Sequence, residues 1–270
     1  MLFGGIHTDP DPDADCLYHP YLDITNPTDN TRFTRLELDE PCFKRPLKNP
    51  TAQIRVCSGA DREKDPYTES GGVPFVSDAF RGVVGVEVSW SHSEHFELRV
   101  FVLNIEGVLS KVPSPPNLGQ RCKKWKDLSS STATFSYDSG GVDKHATLSR
   151  PSYVAGFRYV SPTLSLDPKD PMGPRCFFVY DFNPHREAPD PLPDFTPEEP
   201  DPETGYRRSA SEITREVVGG LSCWKMRFDL PAPDEDLDEC RVALTDGGPV
   251  LFEVRCLAIL SEPFIVTYVL

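Results

Sequence analysis

The sequence has no segment in which apolar residues recur at helical spacing over a window of about 11 residues. It also has no long apolar run, because Ser261-Glu262-Pro263 interrupts the C-terminal stretch Cys256–Leu270, which is shorter than the ~20 residues of a membrane helix. The first absence excludes a protein built from long helices, and the second argues against a membrane span. What is abundant is Pro (28) and Gly (18), which favour short elements joined by many loops.

Positive charge is scarce. Lys and Arg number 28 against 42 Asp and Glu, which gives a net charge of −14. A chain with this balance is repelled by phosphate backbones and by anionic lipid. The densest basic run, Arg121–Lys126, is short, carries one aromatic residue and is typical of a solvated loop. The sequence therefore predicts neither nucleic acid nor a membrane as a partner.

The spacing of the cysteines argues against a structural zinc site. None of the eight cysteines forms a C-x-x-C pair, the usual arrangement of clustered zinc ligands. The N-terminal residues lack the basic segment and the apolar stretch of an export signal. We therefore expect reduced thiols and a cytoplasmic or nuclear location.

Common catalytic and ligand-binding motifs are missing. The sequence contains no Gly-x-Ser-x-Gly elbow and no Gly-rich phosphate loop. The alternating acids Asp9–Asp15 resemble the start of a calcium loop, but Ala14 and Pro20 stand where an EF-hand needs Gly and Glu. This segment is predicted to be an acidic stretch without a specific cation.

Two groups of polar residues remain as weak candidates. His92-Ser93-Glu94-His95 carries metal-ligand types, but the polar segment Ser89–Glu94 is predicted to be a hairpin turn. Glu97, Asp138 and Asp143 are candidates for the paired carboxylates of a glycosidase, although spacing in sequence does not fix their separation in space. The sequence assigns no catalytic, cofactor-binding or metal-binding residue and no cofactor, and it predicts a non-enzymatic protein.

Arg158 and Trp224 lie within apolar strand-like runs. An arginine stem packed along a sheet and a tryptophan in the core account for both residues. We therefore predict packing roles for them.

Short β-branched or alternating segments recur between turn-forming residues, which is the pattern of an all-β fold. The fold is predicted to be propeller-like, or an irregular β-sandwich, of short antiparallel strands with many loops and little helix. The predicted strands are Phe33–Leu38, Val83–Trp90, Phe96–Ile105, Val108–Val112, Thr132–Tyr137, His145–Ser149, Tyr153–Val160, Cys176–Phe182, two within Glu216–Leu230, and two within Cys240–Val254 that flank Asp246-Gly247.

Composition divides the chain into three parts. Residues 1–72 are predicted to be a loop-rich acidic segment with one or two weak strands, and residues 256–270 an apolar tail or strand. Between them, residues 73–255 are predicted to form the β domain. The acidic Pro-rich loop 183–206 interrupts this domain and has too few apolar residues to pack.

Three segments carry a resemblance to a known family. Arg175–Pro184 resembles a strand ending in Asp-Phe-Asn-Pro in a large family of basidiomycete fungal F-box proteins, which join an F-box to a propeller-like β domain. The strand Pro151–Arg158 and the hairpin Arg241–Gly248 support the resemblance. The F-box, a helical module that binds the adaptor Skp1, has no counterpart in residues 1–72, so Skp1 binding is not implied.

The resemblance implies that the β domain holds a protein partner for ubiquitination. The expected function is thus a non-enzymatic protein-interaction module like the substrate-receptor part of a ubiquitin ligase, with a partner that the sequence does not identify. Two alternatives remain open: a carbohydrate-binding or carbohydrate-active β protein, and a truncated, marginally stable gene product.

Overall fold

The structure is a computed structural model. It describes residues 2–8, 18–26, 29–37, 51–57, 82–92, 95–111, 121–138, 154–162, 164–165, 175–185, 206–208, 210–230, 237–245, 248–255 and 264–268. Within these residues the chain is almost entirely β, with one short α-helix, α1 (Ile105–Lys111), and a 3-10 helix (Trp125–Ser131). The strands are β1 (Leu2–Thr8), β2 (Tyr18–Asn26), β3 (Asp29–Glu37), β4 (Thr51–Cys57), β5 (Val83–His92), β6 (His95–Asn104), β7 (Arg121–Lys124), β8 (Thr132–Asp138), β9 (Val154–Ala155), β10 (Arg158–Val160), β11 (Leu164–Ser165), β12 (Arg175–Asp181), β13 (Tyr206–Arg208), β14 (Glu212–Val218), β15 (Leu221–Leu230), β16 (Leu237–Thr245), β17 (Gly248–Arg255) and β18 (Phe264–Tyr268).

The prediction of an all-β fold with little helix is confirmed for the described residues. The strands form four sheets in which almost all neighbours are antiparallel. Two short pairs differ from the prediction, because β7 joins β3 and β13 joins β18 in parallel. β7 and β13 each lie at the end of their sheet, where a strand forms hydrogen bonds with only one neighbouring strand.

The described residues divide into two compact units. Unit 1 comprises Met1–Cys57, Val84–Asp138 and Val218–Leu221. It contains two four-stranded sheets, with strand orders β1-β2-β3-β7 and β4-β5-β6-β8. The central strand β5 is buried from Val83 to Val88, as expected for a β-branched run with a neighbour on each side.

Unit 2 comprises Ser58–Val83, Ser139–Val217 and Ser222–Leu270. Its larger sheet has the order β14-β15-β12-β10-β9, with β11 also paired to β12, and its smaller sheet has the order β13-β18-β17-β16. The core of the larger sheet is centred on Phe177 and Phe228, which lie opposite each other on β12 and β15. Their rings stack with centroids 5.0 Å apart, and neither is exposed to solvent.

Most of the predicted strands are confirmed. The hairpin around Asp246-Gly247 is present as β16 and β17, with Thr245 opposite Gly248. The C-terminal segment contains a strand, β18, and the N-terminal segment contains more strands than expected, β1 to β4. The predicted strand Tyr153–Val160 is divided into β9 and β10 by a turn at Gly156.

The predicted strand Val108–Val112 is wrong over the residues that are described. Ile105–Lys111 forms α1, and the backbone N–H of Gly107 donates to Asn104 Oδ1 at 2.8 Å. Asn104 is thus the N-cap of a helix too short to produce a periodic apolar pattern. None of the helices in the described part of the chain is long and apolar enough to cross a membrane.

The basic run Arg121–Lys126 is also not the predicted loop. Its first four residues form β7, and the 3-10 helix starts at Trp125. The predicted strand His145–Ser149, the acidic segment Asp9–Asp15 and most of the loop 183–206 lie outside the described residues.

The turn that links β14 to β15 requires glycine. Gly219 has a φ of +60°, and a Cβ atom there would lie 2.5 Å from Thr132 O. The next residue, Gly220, donates its backbone N–H to the same Thr132 O at 3.0 Å. The turn is therefore constrained both by its backbone conformation and by close contact.

We expect Gly219→Ala to lower the free energy of unfolding by about 1–3 kcal/mol more than Gly156→Ala. Gly156 has nearly the same φ of +57°, but a Cβ there meets no atom within 4 Å. Both variants introduce the same left-handed strain, so the difference isolates the clash with Thr132. Urea denaturation of the two proteins measures it, and equal losses would contradict the close packing.

Candidate functional site

Four side chains of unit 2 form a line across the larger sheet, which we call the cross-strand row. Arg158 on β10 lies opposite Asp181 on β12, and Asp181 lies opposite Trp224 on β15. The guanidinium carbon of Arg215 on β14 lies 5.7 Å from the centroid of the Trp224 ring. Directly opposed residues project from the same face of a sheet. From β10 to β14, the row therefore consists of a cation, an anion, an aromatic ring and a second cation.

Asp181 is the buried centre of the row. Its side chain is 3% exposed, and Oδ2 accepts a hydrogen bond from Arg158 Nε at 3.2 Å. Oδ1 accepts the backbone N–H of Asn183 at 3.0 Å. Both carboxylate oxygens therefore have partners, as a buried charge requires.

The turn after β12 explains the Asp-Phe-Asn-Pro motif in structural terms. The side chain of Asp181 accepts from the backbone two residues on, and Asn183 Oδ1 repeats the pattern by accepting the N–H of His185 at 3.0 Å. Two successive side-chain turns of this kind follow the end of the strand. The motif thus has a local role in ending β12.

The outer end of the row is accessible to solvent. Arg215 is exposed and Trp224 is half-buried. On β14, the strand of Arg215, the side chain of Val217 is 71% exposed. The row therefore ends in a surface that combines an arginine, an aromatic ring and an aliphatic side chain.

The opposite face of the sheet carries paired charges over aromatic rings. Lys225 Nζ lies 3.1 Å from Glu216 Oε1 and 4.8 Å from the centroid of the Phe178 ring. Tyr180 stacks on Tyr159 with centroids 5.9 Å apart. Burial is the main cause that raises the pKa of Tyr180 well above its ordinary value, with Glu216 adding to it.

Cys223 is a buried free thiol on β15. Burial first, and the carboxylate of Glu216 second, raise the pKa of this thiol from 9.0 to about 11. A thiol held in its protonated form is a poor nucleophile. Cys223 is therefore a packing residue at neutral pH.

This pKa shift makes stability depend on pH in the alkaline range. The thiol of the unfolded chain ionises near 9.0 and that of the folded chain near 11, so unfolding releases a proton between these pH values. We expect the free energy of unfolding to fall as pH rises through this window, and to fall less in Cys223→Ala. Urea denaturation of both proteins at about pH 8 and about pH 10 measures the difference, and parallel losses would contradict it.

One pair of the glycosidase candidates is brought together. Glu97 on β6 lies directly opposite Asp138 on β8 in the antiparallel ladder. Glu97 Oε1 already accepts a hydrogen bond from Arg99 Nε at 3.1 Å. Asp143 lies outside the described residues.

The predicted turn Ser89–Glu94 is wrong for Ser89–His92, which belong to β5, and its last two residues lie outside the described part of the chain. His92 ends β5, His95 begins β6, and the two strands are neighbours in one sheet. Among the residues that the structure describes, no group of three or more His, Cys, Asp or Glu is placed to hold a metal ion.

Sequence reasoning identified only part of the cross-strand row. Arg158 and Trp224 were noted for packing, but Asp181, Arg215 and the exposure of Val217 were not predicted. The sequence predicted a strand that starts at Glu216, one residue after Arg215. It did not indicate that this strand lies at the end of its sheet, because strand order is set by contacts distant in sequence.

Comparison with known proteins gives no relative: no family model, no curated protein and no solved structure matches the chain.

Proposed function

We propose that the chain is a non-enzymatic protein-interaction module that binds its partner at the outer end of the cross-strand row. The observation that carries the proposal is the exposed Arg215 on the half-buried ring of Trp224, next to Val217 at 71% exposure. Arg and Trp are enriched among residues that dominate protein–protein binding energy. Asp181 and Arg158 neutralise each other at the inner end of the row, so the site offers no spare buried acid or base for chemistry.

For the fold we propose a propeller-like arrangement. Three of the four sheets have four strands, the number in a propeller blade. The resemblance of Arg175–Pro184 to the β domain of fungal F-box proteins supports the same arrangement and a role in holding a substrate protein. Adaptor binding is not part of the proposal.

The proposal is tested by partner capture followed by reconstitution. Affinity-tagged chain is incubated with a eukaryotic cell extract, bound proteins are identified by quantitative mass spectrometry, and each candidate is purified and titrated by calorimetry. We expect a saturable complex with a Kd of about 10 µM or tighter. Failure of every purified candidate to bind would overturn the proposal, and recovery of Skp1 would reveal an adaptor-binding surface that the sequence does not indicate.

The carbohydrate alternative is favoured by one observation, the direct opposition of Glu97 and Asp138. Opposed residues in an antiparallel pair are close neighbours, with Cβ atoms about 4.5–5.5 Å apart, and glycosidases use a pair of neighbouring carboxyl groups. We therefore propose glycoside hydrolysis at this pair as the second candidate function.

Aryl glycosides of several sugars test this second candidate. Hydrolysis by the wild-type chain that falls more than 100-fold in Glu97→Gln would support it. Glu106→Gln, which changes an exposed carboxylate on α1, is the matched control. Absence of hydrolysis, or equal rates in both variants, would exclude it.

A further inference from the structure

Strand β14 is the edge of the larger sheet of unit 2. It is the terminal member of the order β14-β15-β12-β10-β9, and no described strand pairs with its far side. None of its side chains is fully buried, and exposed and half-buried residues alternate from Thr214 to Val218. An exposed edge presents backbone N–H and C=O groups that can pair with a further strand.

Three ion pairs link charged side chains of this sheet. Arg158 is paired with Asp181, Lys225 with Glu216, and Arg227 with Asp229. Arg215 contacts the ring of Trp224 and has no carboxylate partner among the described residues. The edge strand therefore exposes the positive charge of Arg215 as well as the negative charge of Glu212, in a protein with a net charge of −14.

A second copy of the chain does not supply a counter-charge for Arg215. In a symmetric antiparallel pair, each residue of β14 faces a residue from the same face of its copy. The registers with the longest overlap are centred on Thr214, Arg215 or Glu216. The first register sets Glu212 opposite Glu216. The second sets Arg215 opposite Arg215 of the copy, and the third sets Glu216 opposite Glu216. All three place like charges directly opposite each other, which destabilises a strand pair.

We propose that β14 binds an extended segment of a partner protein by strand addition, with an acidic side chain beside Arg215 and an aliphatic side chain beside Val217. Arg215 and Val217 are two residues apart and therefore project from the same face. The segment should carry its acidic and aliphatic residues at the same spacing, acidic-x-aliphatic or the reverse according to strand direction. Main-chain hydrogen bonds would supply affinity, and these two side chains would supply specificity. The inference rests on the proposed function and names the class of ligand that it binds.

A random heptapeptide library displayed on phage provides the probe. We expect the enriched peptides to share an acidic residue two positions from Val, Ile or Leu. A synthetic peptide of the most enriched sequence is then titrated against the purified chain by fluorescence anisotropy. Binding should weaken at least 10-fold in Arg215→Glu and by less than 3-fold in Arg215→Lys.

Lys111→Glu is the control, because it makes the same change of charge on α1, where Lys111 donates to Ser130 Oγ. It should bind the peptide as the wild type does. Thermal melts of each variant verify that the fold is retained. Equal binding by Arg215→Glu and the wild type, or the absence of any enriched peptide, would overturn the proposal.

Amide hydrogen exchange distinguishes strand addition from a peptide held only by charge attraction to Arg215, which would not slow the exchange of β14 amides. Strand addition should slow the exchange of β14 amides when the peptide is bound, because outward-facing N–H groups acquire acceptors. Protection confined to other strands would overturn the proposal even if Arg215 contributes to binding. If the purified partner from the capture experiment binds the Arg215→Glu variant normally, the edge-strand inference fails while the interaction function stands.

Discussion

Replacing Phe228 with alanine is expected to lower the free energy of unfolding by about 3–5 kcal/mol. The side chain is fully buried and stacks on Phe177 with ring planes 10° apart, so its removal leaves a cavity at the centre of the larger sheet. Neighbouring side chains cannot fill the space without breaking the register between β12 and β15. Guanidinium denaturation followed by circular dichroism measures the loss.

Phe178→Ala is the matched control for this prediction. Phe178 is the next residue on β12 after Phe177, but it is half-buried and projects from the opposite face. We expect it to cost less than half as much as Phe228→Ala, because less apolar area returns to water and no closed cavity forms. Equal losses would show that the core is not centred on the stacked pair.

Replacing Asp181 with alanine is expected to lower the free energy of unfolding by about 3 kcal/mol, near the low end of the range for breaking a buried ion pair. The change removes the acceptor of Arg158 Nε and of the Asn183 N–H. It is not at the high end because the side chain of Arg158 is 27% exposed and can be hydrated. Asp181→Asn retains an oxygen for the turn and is expected to cost about half as much.

Asp229→Ala provides the contrast. Arg227 Nε and Asp229 Oδ1 are closer, at 2.8 Å, but the carboxylate is 45% exposed. An exposed pair contributes less than about 1 kcal/mol, because water competes for both charges. Urea denaturation of the two alanine variants compares them, and a larger loss for Asp229→Ala would contradict the central position of Asp181.

Variants at Asp181 and at Arg215 distinguish effects on stability from effects on binding. Asp181 is buried and Arg215 is exposed, so loss of the first should act on stability and loss of the second on partner affinity. If the Asp181→Asn chain is less stable but still binds the peptide, the inner half of the row stabilises the fold and does not contact the partner. The binding surface is then limited to its outer half.

Local structure was predictable where one short segment carried the whole signal. Asp246-Gly247 between apolar runs gave the correct hairpin, and the apolar run before Asp181 gave the correct strand. Alternation at the start of β6 likewise matched its burial, since Glu97 and Arg99 are half-buried while Leu98 and Val100 are buried. In each case the residues that determine the conformation are adjacent in sequence.

Contacts between distant segments were not predictable. The pairing of β3 with β7 in parallel, and the position of β14 at an edge, depend on strands far away in the chain. For the same reason, neither the partnership of Arg158 with Asp181 nor the exposure of Val217 could be inferred from composition. The helix α1 was missed for a different reason, since its capping residue Asn104 was present but its apolar pattern was only one turn long.

The two parallel edge pairs have a consequence for how the protein is made. β7 reaches β3 only after β4, β5 and β6 have been synthesised, and β13 meets β18 only after β14 to β17. On a ribosome, β3 and β13 therefore emerge long before the strands that cover them. Closing such long loops costs entropy before any contact compensates for it. The order of translation is thus not the order of assembly, and nascent chains expose two open sheet edges to chaperones or to aggregation.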